Sequence, residues 1–409
     1  MNMVDAVIDK TAKDNKYWVL GLLYTAWCIA FIDRVVLSFS SPAIAKELSL
    51  SPTEIGLVLS IFYFGFWLMQ LPGGWLADRF GSKVIVMIGI GCWSLFTLFT
   101  GTAWSLTSLL AIRLLFGIGE GIFPSASIKG VTENFSLEDK PKMSSFLMSS
   151  NYIGSMLAPL LIAPLLIHFG WRHVFMMIGG LGILFVLVYG CTVRRKESTT
   201  QAHQRMNGAD LKELLRKPLM WKLAAVWFGL SLINKGLDSW MPIYLMTERG
   251  MNLKAVGILL PIPYLTAGIA TMIGGWVMIK FFDGKEKYML MVSAALTAFF
   301  LYFMYSAQSI SAVIAAQACV YFFKSFVFAV AIALPTKILA EKMVGTGIGI
   351  INFGGQAAGF VAPLAIGILV QHFSYSAAFL FLMAAAACSV IISVTLRTPT
   401  SKQIKAGQF

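Results

Sequence analysis

Charged residues are scarce in this chain: Asp, Glu, Lys and Arg make up 12% of its 409 residues, whereas an average soluble domain has about 25%. Too few charges are present to cover a soluble protein of this length. Cysteine is also rare, and the cysteines lie in apolar stretches without paired or metal-like spacing: Cys28, Cys92, Cys191, Cys319 and Cys388. This distribution argues against a disulfide framework and against a bound metal.

Motifs that bind nucleotides or perform catalysis are missing as well. No Walker loop, dinucleotide fingerprint or nucleophile constellation occurs in the sequence. The glycine-rich "GIGEG" at 117–121 lies inside an apolar stretch, where it cannot cradle a phosphate. The start of the chain is polar and mixed in charge, which is unlike a secretory signal. We therefore expect neither enzymatic activity nor a cofactor.

Long apolar runs take the place of charge. Hydrophobic residues make up 58% of the chain, and runs of about 20 residues, long enough to cross a bilayer as a helix, recur from Tyr17 to Leu396. The sequence predicts an all-α polytopic membrane protein with twelve transmembrane helices. The predicted spans are 17–42, 53–77, 84–101, 105–130, 143–168, 173–193, 219–247, 255–279, 288–307, 310–336, 344–371 and 375–396.

The formal net charge of +13 would suit a nucleic-acid partner, but the placement of the basic residues argues against one. With both termini on one side, most Lys and Arg residues outside the spans fall on that side, and few fall on the other: Lys46, Arg172, Arg249 and Lys254. This asymmetry is the positive-inside rule. We therefore expect a multi-pass protein of the cell (inner) membrane, surrounded by lipid, with both termini cytoplasmic and no nucleic-acid partner.

A polar stretch, 194–218, divides the chain near its middle and is the predicted cytoplasmic linker. It separates a six-helix bundle at 1–193 from a second at 219–409. The halves are related, because "LAPLLIAPLLIHFGWRHVF" at 157–175 and "VAPLAIGILVQHFSYSAAF" at 361–379 share Ala-Pro, His-Phe and a final Phe at a constant offset. This duplication predicts two parallel bundles with a binding site between them. Nothing indicates a partner subunit, so we expect a monomer.

The second cytoplasmic turn reads "GGWLADRFGSK" from Gly73 to Lys83. It resembles the signature loop of the major facilitator superfamily, with Ser82 at a place that is usually basic. The resemblance covers the whole chain and implies alternating access. In that superfamily the loop acts as a conformational gate, a role that falls here on Gly74, Asp78, Arg79, Gly81 and Lys83. The acidic residue is expected to face a helix end in the other half.

Three further stretches resemble the anion:cation symporter family. They are "FIDRVVLSFSSPAIAKEL" in span 1, "RLLFGIGEGIFPSA" in span 4 and "GIINFGGQAAGFVAP" in span 11. That family includes bacterial proton symporters of sugar acids and other organic anions, and it is related to sialin and to the vesicular glutamate carriers. The resemblance implies that this chain imports a small organic anion together with protons.

Ionisable residues inside apolar spans are costly, by roughly 2.5–3.5 kcal/mol each on insertion scales, and they mark function by default. This chain places six well inside its spans: Asp33, Arg34, Arg113, Glu120, Lys235 and Lys324. Arg34 and Arg113 lie at matched depth, and two guanidinium groups at one level suit forked hydrogen bonds to a carboxylate. The alternative is a static network in which acids and bases only neutralise one another.

The family resemblance assigns roles to three of these residues. The span 1 arginine contacts the substrate anion, whereas the span 1 aspartate and the span 4 glutamate take up and release the coupling protons. These roles map onto Arg34, Asp33 and Glu120. A substrate bound to Arg34 or Arg113 would weaken the hold of these guanidinium groups on the carboxylates and favour their protonation, which couples anion and proton.

The second half departs from the sugar-acid pattern. Span 10, "VYFFKSFVFAVAIALP", has few hydroxyls and carries Lys324, while span 7 carries Lys235 with Asp238 one turn later as a competing partner. Both lysines are predicted to contact substrate and point to a more negatively charged or less hydroxylated molecule. The remaining predicted substrate-binding residues are Asn151, Asn352 and Gln356.

The sequence therefore predicts a secondary active importer of a small organic anion, a sugar acid or another carboxylate, driven by protons. An exchanger or exporter of the same fold is the alternative, since buried cations suit either. A sensor built on a transporter scaffold is a third reading, and the short linker offers it no output domain.

Overall fold

The computed structural model describes residues 3–136, 138–194, 208–339 and 341–396, and it contains helices and no strand within these ranges. In chain order the helices are α1 (Met3–Leu48), α2 (Pro52–Leu68), α3 (Gln70–Phe80), α4 (Ser82–Thr100), α5 (Leu106–Gly121), α6 (Phe123–Asn134), α7 (Lys140–Thr192), α8 (Gly208–Arg216), α9 (Pro218–Thr247), α10 (Leu253–Leu259), α11 (Pro261–Phe281), α12 (Glu286–Ser306), α13 (Ile310–Ile338), α14 (Glu341–His372) and α15 (Tyr375–Val394).

The described helices are consistent with twelve membrane crossings. Nine helical stretches among them are long and apolar enough to span a membrane, and α2 with α3, bent by 49°, forms a tenth. Helix α7 has 53 residues and a break at Gly170, where φ is 70°; at 1.5 Å per residue it exceeds two bilayer cores of about 30 Å. It therefore holds two predicted spans, 143–168 and 173–193. Helix α9 is not among these apolar stretches, since charged residues interrupt it, but its 30 residues are long enough for the twelfth crossing. The predicted fold class is confirmed.

The chain divides into two compact units. Unit 1 consists of Met1–Leu50 and Ile61–Thr200, and unit 2 consists of Ser51–Ser60 and Gln201–Phe409. The sequence-based division assigns the first turns of α2 to the first half, whereas they pack with unit 2. Most of the predicted linker lies outside the described residues, and α8 occupies its end.

In unit 2 the first part of α2 packs closely on α14. A Cβ built on Gly56 would lie 2.6 Å from the carbonyl oxygen of Pro363, and one on Gly367 would lie 2.6 Å from that of Pro52. The amide of Thr53 donates to Oε1 of Gln371 at 3.1 Å. These contacts explain why the first nine residues of α2 group with unit 2.

In unit 1 the glycines of "GIGEG" allow α2 and α5 to touch along their backbones. A Cβ built on Gly117 would lie 2.2 Å from the carbonyl oxygen of Phe62, and one on Gly121 would lie 2.7 Å from that of Phe66. No side chain fits at such distances. The glycine-rich stretch thus serves helix packing, and it fixes Phe62 and Phe66 against α5.

We expect Gly117→Ala to destabilise the protein, because the added methyl forces α2 away from α5 at a cost of about 1–3 kcal/mol. Gly91→Ala is the matched control, since a Cβ at Gly91 meets nothing within 4 Å, and alanine favours a helix over glycine by about 1 kcal/mol. Thermal denaturation in detergent should show a lower midpoint for Gly117→Ala alone. Equal midpoints for the two variants would contradict this account of the packing.

Candidate anion and proton site

The charged residues predicted inside spans 1 and 4 form one cluster in unit 1. Nε of Arg34 donates a hydrogen bond to Oε1 of Glu120 at 2.8 Å, and NH2 of Arg34 lies 2.6 Å from the same oxygen. Asp33 and Arg113 belong to the same cluster, because each interacts electrostatically with the other and with Glu120. Two residues of α1 and two of α5 therefore meet, as their depth in the spans predicts.

The cluster is nearly sealed from solvent, with one exception. Asp33, Arg113 and Glu120 are each 1% exposed. The side chain of Arg34 keeps 11% of its surface accessible. Arg34 is therefore the charged group of the cluster that a molecule outside the helix core reaches first.

Aromatic rings enclose both guanidinium groups. Cζ of Arg34 lies 4.8 Å from the ring centres of Phe31 and Phe66 and 5.3 Å from that of Phe62. Cζ of Arg113 lies 4.1 Å from the ring centre of Phe116 and 5.6 Å from that of Phe62. Ring faces stabilise cations without offering hydrogen-bond acceptors. The rings thus help to hold two buried cations and leave their N–H groups for acidic partners.

The sequence alone did not predict these rings or one hydroxyl beside the cluster. Phe62 and Phe66 come from "FYFGFW" in α2, a stretch in which aromatic residues are too frequent for two to stand out. Thr97 of α4 lies beside the Asp33 carboxyl and is fully buried. A polar residue at a buried position of an apolar helix was the available signal, but α4 carries several.

Arg113 differs from Arg34 in its hydrogen bonding. Among the described protein atoms, Nε and NH1 of Arg113 have no hydrogen-bond partner. Burying such donors unpaired is costly, and a carboxylate is the acceptor that matches a guanidinium. These two groups of Arg113 thus differ from Nε of Arg34, which donates to Glu120. The predicted role of Arg113 in substrate binding stays a prediction.

Asn151 lies on α7 near the same part of α1. Its Oδ1 is buried without a hydrogen-bond partner among the described atoms. One turn later, a Cβ built on Gly154 would lie 3.0 Å from Cys28 and from Phe31, so α7 and α1 are in close contact there. The predicted role of Asn151 in substrate binding stays a prediction.

The predicted gate residues lie on α3, in the turn after it and at the start of α4. Gly81, with φ at 85°, adopts a conformation that favours glycine. Asp78 accepts from Nζ of Lys129 at 3.1 Å, and 79% of its side chain is exposed. This partner, Lys129, lies on α6 of the same unit. The predicted contact of Asp78 with a helix end of the other half stays a prediction.

The other residues of this loop also make contacts within unit 1. Nζ of Lys83 donates to the carbonyl oxygen of Gly190 at 2.8 Å, and the guanidinium of Arg79 lies over the ring of Trp75. Ser82, where the signature is usually basic, donates through its hydroxyl to Glu133. Gly74 faces Ser125, with 3.7 Å between a built Cβ and the serine oxygen. The loop is thus tied to α6 and α7.

Unit 2 holds a separate polar network on α9 and α13. Tyr321 donates to Oδ1 of Asp238 at 2.5 Å, and Nδ2 of Asn234 donates to Oδ2 of Asp238 at 2.8 Å. Nζ of Lys324 donates to Oδ1 of Asn234. Asp238, which the sequence offers as a partner for Lys235, accepts hydrogen bonds from Tyr321 and Asn234. The alternative roles of Lys235, in substrate binding or in a pair with Asp238, stay predictions.

The two residues predicted on α14 are less informative. Asn352 is exposed and Gln356 is partly exposed, and their predicted contact with substrate stays a prediction. In the part of the chain that the structure describes, no group of three or more His, Cys, Asp or Glu side chains is placed to hold a metal ion.

A model of the Major Facilitator Superfamily matches residues 23–282 and 245–408 of this chain. These matches cover both units. The chain belongs to the major facilitator superfamily. Its resemblance to that superfamily, predicted from the signature loop, is confirmed. The superfamily and the relatives found consist of transporters, in agreement with the expectation that the chain is not an enzyme.

Relatives of this transporter along its full length handle organic acids. The chain is 27% identical to a probable sulfoacetate transporter of Cupriavidus necator, over 96% of this chain and 97% of that protein. It is also 27% identical to a D-galactonate transporter of Escherichia coli, over 93% and 95% of the two chains. A hexuronate transporter of Bacillus subtilis is 26% identical over 90% of this chain and 91% of its own.

A solved structure agrees on the fold. A bacterial homologue of the human lysosomal transporter Spinster, in an inward-facing and occupied conformation, superposes with a TM-score of 0.83 at 20% identity, covering 93% of this chain and 97% of that one. This transporter is therefore a multi-pass membrane protein of the superfamily whose relatives carry small organic acids.

Proposed function

We propose that this transporter imports a small organic anion with protons, by alternating access of its two bundles, 1–193 and 219–409, around the linker at 194–218. We place it in the cell (inner) membrane as a monomer with both termini cytoplasmic. The observation that supports the proposal most strongly is the buried ion pair of Arg34 and Glu120, with Asp33 and Arg113 beside it.

Charge balance links the anion to the proton. With all four groups ionised, two carboxylates and two guanidinium groups make the cluster neutral. A substrate carboxylate alone would bring an uncompensated charge into a nearly sealed space, which is costly. One proton on Glu120 or Asp33 restores neutrality. Anion and proton therefore favour each other's binding, as symport requires.

The geometry supports a separate role for each of the four charged residues. Oε1 of Glu120 engages both Nε and NH2 of Arg34, so a substrate carboxylate competes with Glu120 for the same donors. A proton on Glu120 removes its charge, so that the Nε and NH2 donors of Arg34 become free for the substrate carboxylate. Asp33, one residue from Arg34 and beside Arg113, takes the second coupling role. Arg113, with open N–H groups, binds a further oxygen of the anion.

The relatives indicate the range of substrates to test, from sulfoacetate to D-galactonate and hexuronates. An exchanger or exporter of the same fold remains the alternative function. The buried cations are compatible with anion exchange, but an exchanger does not need the two buried carboxyl groups.

The proposal is tested by reconstituting the protein in liposomes that contain a pH dye and adding anions outside. We expect one class among sulfoacetate, D-galactonate, D-glucarate and D-glucuronate to acidify the lumen. Asp33→Asn should abolish the acidification, because it removes a proton carrier without a change in shape. Uptake driven by a preloaded anion, with no acidification by any of them, would establish the exchanger instead.

A further inference from the structure

Thr97 of α4 uses its hydroxyl differently from the other fully buried threonines of the described chain. Oγ1 of Thr100 donates to the carbonyl oxygen of Phe96 at 2.9 Å, and Oγ1 of Thr297 donates to that of Ser293 at 2.7 Å. Such a bond to the preceding turn is a common way to satisfy a threonine inside an apolar helix. Oγ1 of Thr97, by contrast, has no hydrogen-bond partner among the described protein atoms. Its hydroxyl is therefore not used by its own helix.

The polar group beside the Thr97 hydroxyl is the carboxyl of Asp33 on α1. Thr97 lies within reach of a side-chain hydrogen bond to this carboxyl, and Oδ1 of Asp33 also has no hydrogen-bond partner among the described protein atoms. Both side chains are buried away from bulk water, where a polar atom without a partner is costly. The hydroxyl and the carboxyl therefore both gain stability from a hydrogen bond to each other.

The ionisable groups around Asp33 come from three helices of unit 1. They are Arg34 on α1, Arg113 and Glu120 on α5, and Tyr63 on α2, which acts on Arg113. Among the described interactions of Asp33, α4 and α7 supply no ionisable group. Thr97 is therefore a neutral hydrogen-bonding group among charged neighbours.

Ser94, one turn before Thr97 on α4, shows that burial alone does not assign such a role. Its Oγ is buried and has no hydrogen-bond partner among the described atoms. However, Ser94 packs against α7, where a Cβ built on Gly182 would collide with its hydroxyl, and it is not among the described interactions of Asp33. The neighbouring carboxyl thus distinguishes Thr97 from Ser94.

A hydroxyl suits a carboxyl that gains and loses a proton. The hydroxyl of threonine both donates and accepts hydrogen bonds. It donates to Asp33 when that residue is a carboxylate, and it accepts from Asp33 when that residue is protonated. A guanidinium has donors and no acceptor, so Arg113 stabilises the carboxylate alone. Thr97 therefore offers a hydrogen bond to both forms of Asp33, which Arg113 does not.

We propose that Thr97 is a positioning residue for the proton step at Asp33. Its hydroxyl donates to the carboxylate and accepts from the protonated form, so that this buried group gains and loses its proton with a hydrogen-bond partner in each state. The contacts that carry the inference all lie within unit 1. The inference rests on the proposed function, in which Asp33 carries a coupling proton, and it adds a residue of α4 to that step.

The test measures the pH profile of anion-driven lumen acidification in liposomes, with the anion that acidifies wild-type liposomes fastest among sulfoacetate, D-galactonate, D-glucarate and D-glucuronate. Thr97→Val removes the hydroxyl and nearly keeps the shape, whereas Thr97→Ser keeps the hydroxyl. Thr100→Val is the matched control, because Thr100 is equally buried on α4 but donates to its own helix. Exchange of labelled for unlabelled anion, which requires no proton release, is measured alongside, together with thermal midpoints in detergent.

We expect Thr97→Val to move the half-maximal point of acidification by about one pH unit toward higher pH. Acidification falls as the external pH rises, because the coupling carboxyl groups must be protonated. Without the hydroxyl, the carboxylate form of Asp33 loses a charge-assisted hydrogen bond and the protonated form loses a weaker one, so the variant favours the protonated form. Thr97→Ser and Thr100→Val should keep the wild-type profile, and Thr97→Val should keep anion exchange near the wild-type rate.

The results that would overturn the inference differ from those that would overturn the proposed function. If Thr97→Val keeps the wild-type pH profile, or if Thr100→Val moves it as far, Thr97 does not position Asp33. Equal losses of exchange and acidification in Thr97→Val would assign Thr97 to packing or anion binding instead. In these cases the proposed function stands. If no anion acidifies wild-type liposomes at any pH, the proposed function fails and this inference fails with it.

Discussion

Arg34→Ala is expected to reduce anion-driven proton uptake to below about 1% of the wild-type rate. The substitution removes the substrate's fork of donors, each worth about 1.5–3 kcal/mol as a charge-assisted hydrogen bond. It also leaves Glu120 buried without its partner, a loss of about 3–5 kcal/mol when one member of a buried pair is deleted. Initial rates of lumen acidification in reconstituted liposomes measure the effect.

The control for Arg34 is a second arginine–glutamate pair of the same unit. Nε of Arg172 lies 2.8 Å from Oε1 of Glu47, and both side chains are substantially exposed. An exposed pair contributes little, about 0–1 kcal/mol, so Arg172→Ala should keep uptake within about threefold of the wild type. If Arg34→Ala transports as well as Arg172→Ala does, the substrate does not bind Arg34.

Loss of folding and loss of binding are separated by a double variant. Arg34→Met with Glu120→Met replaces the buried pair by apolar groups, which often keeps or raises stability. We expect the double variant to have a thermal midpoint near that of the wild type and still to be inactive. Recovery of transport together with stability would show that the pair is only structural.

Glu120→Gln is expected to separate anion movement from proton movement. Glutamine has nearly the same shape as a protonated glutamate and cannot release a proton, so Arg34 stays free for the anion in every state. Exchange of labelled anion for unlabelled anion should persist within about tenfold of the wild-type rate, whereas proton-driven accumulation should fall by more than about 100-fold. The pH dependence of anion affinity should also flatten, because the competing carboxylate is gone.

Glu47→Gln provides the matched glutamate, since Glu47 is hydrogen-bonded to Trp171 and Arg172 outside the cluster. It should leave exchange and accumulation equally intact. Accumulation by Glu120→Gln at the wild-type level would remove Glu120 from the coupling mechanism. Loss of both exchange and accumulation would mean that Glu120 is needed to hold Arg34 rather than to carry a proton.

Much of the unit 1 cluster was predictable because charge stands out in an apolar helix. Four charged residues interrupt apolar runs of α1 and α5: Asp33, Arg34, Arg113 and Glu120. Arg34 and Arg113 lie at matched depth in their spans, which predicts that the charges of the two helices meet. Depth does not specify rotation about the helix axis, so the sequence could not tell that Arg34 is paired with Glu120.

The network around Lys324 was harder to predict. The spacing of Lys235 and Asp238 predicts a local pair, but it says nothing of the hydrogen bond that Asp238 accepts from Tyr321, 83 positions away in the chain. Asn234 does not stand out in the sequence, because a single amide in an apolar helix has many ordinary uses. The boundaries of the helices also differ from those of the predicted spans. Gly170 bends α7 without ending it, so the two predicted spans 143–168 and 173–193 lie in one helix.

The three rings around Arg34 affect which anions can approach its guanidinium. Phe31, Phe62 and Phe66 surround its guanidinium, and an ion that approaches must surrender water to surfaces that donate no hydrogen bonds. Chloride and inorganic phosphate have no apolar surface to bury against the rings, whereas an organic acid has a carbon body that can do so. In the proposed symport, we therefore expect the enclosure to favour organic acids over inorganic salts, so that protons enter together with the organic anion.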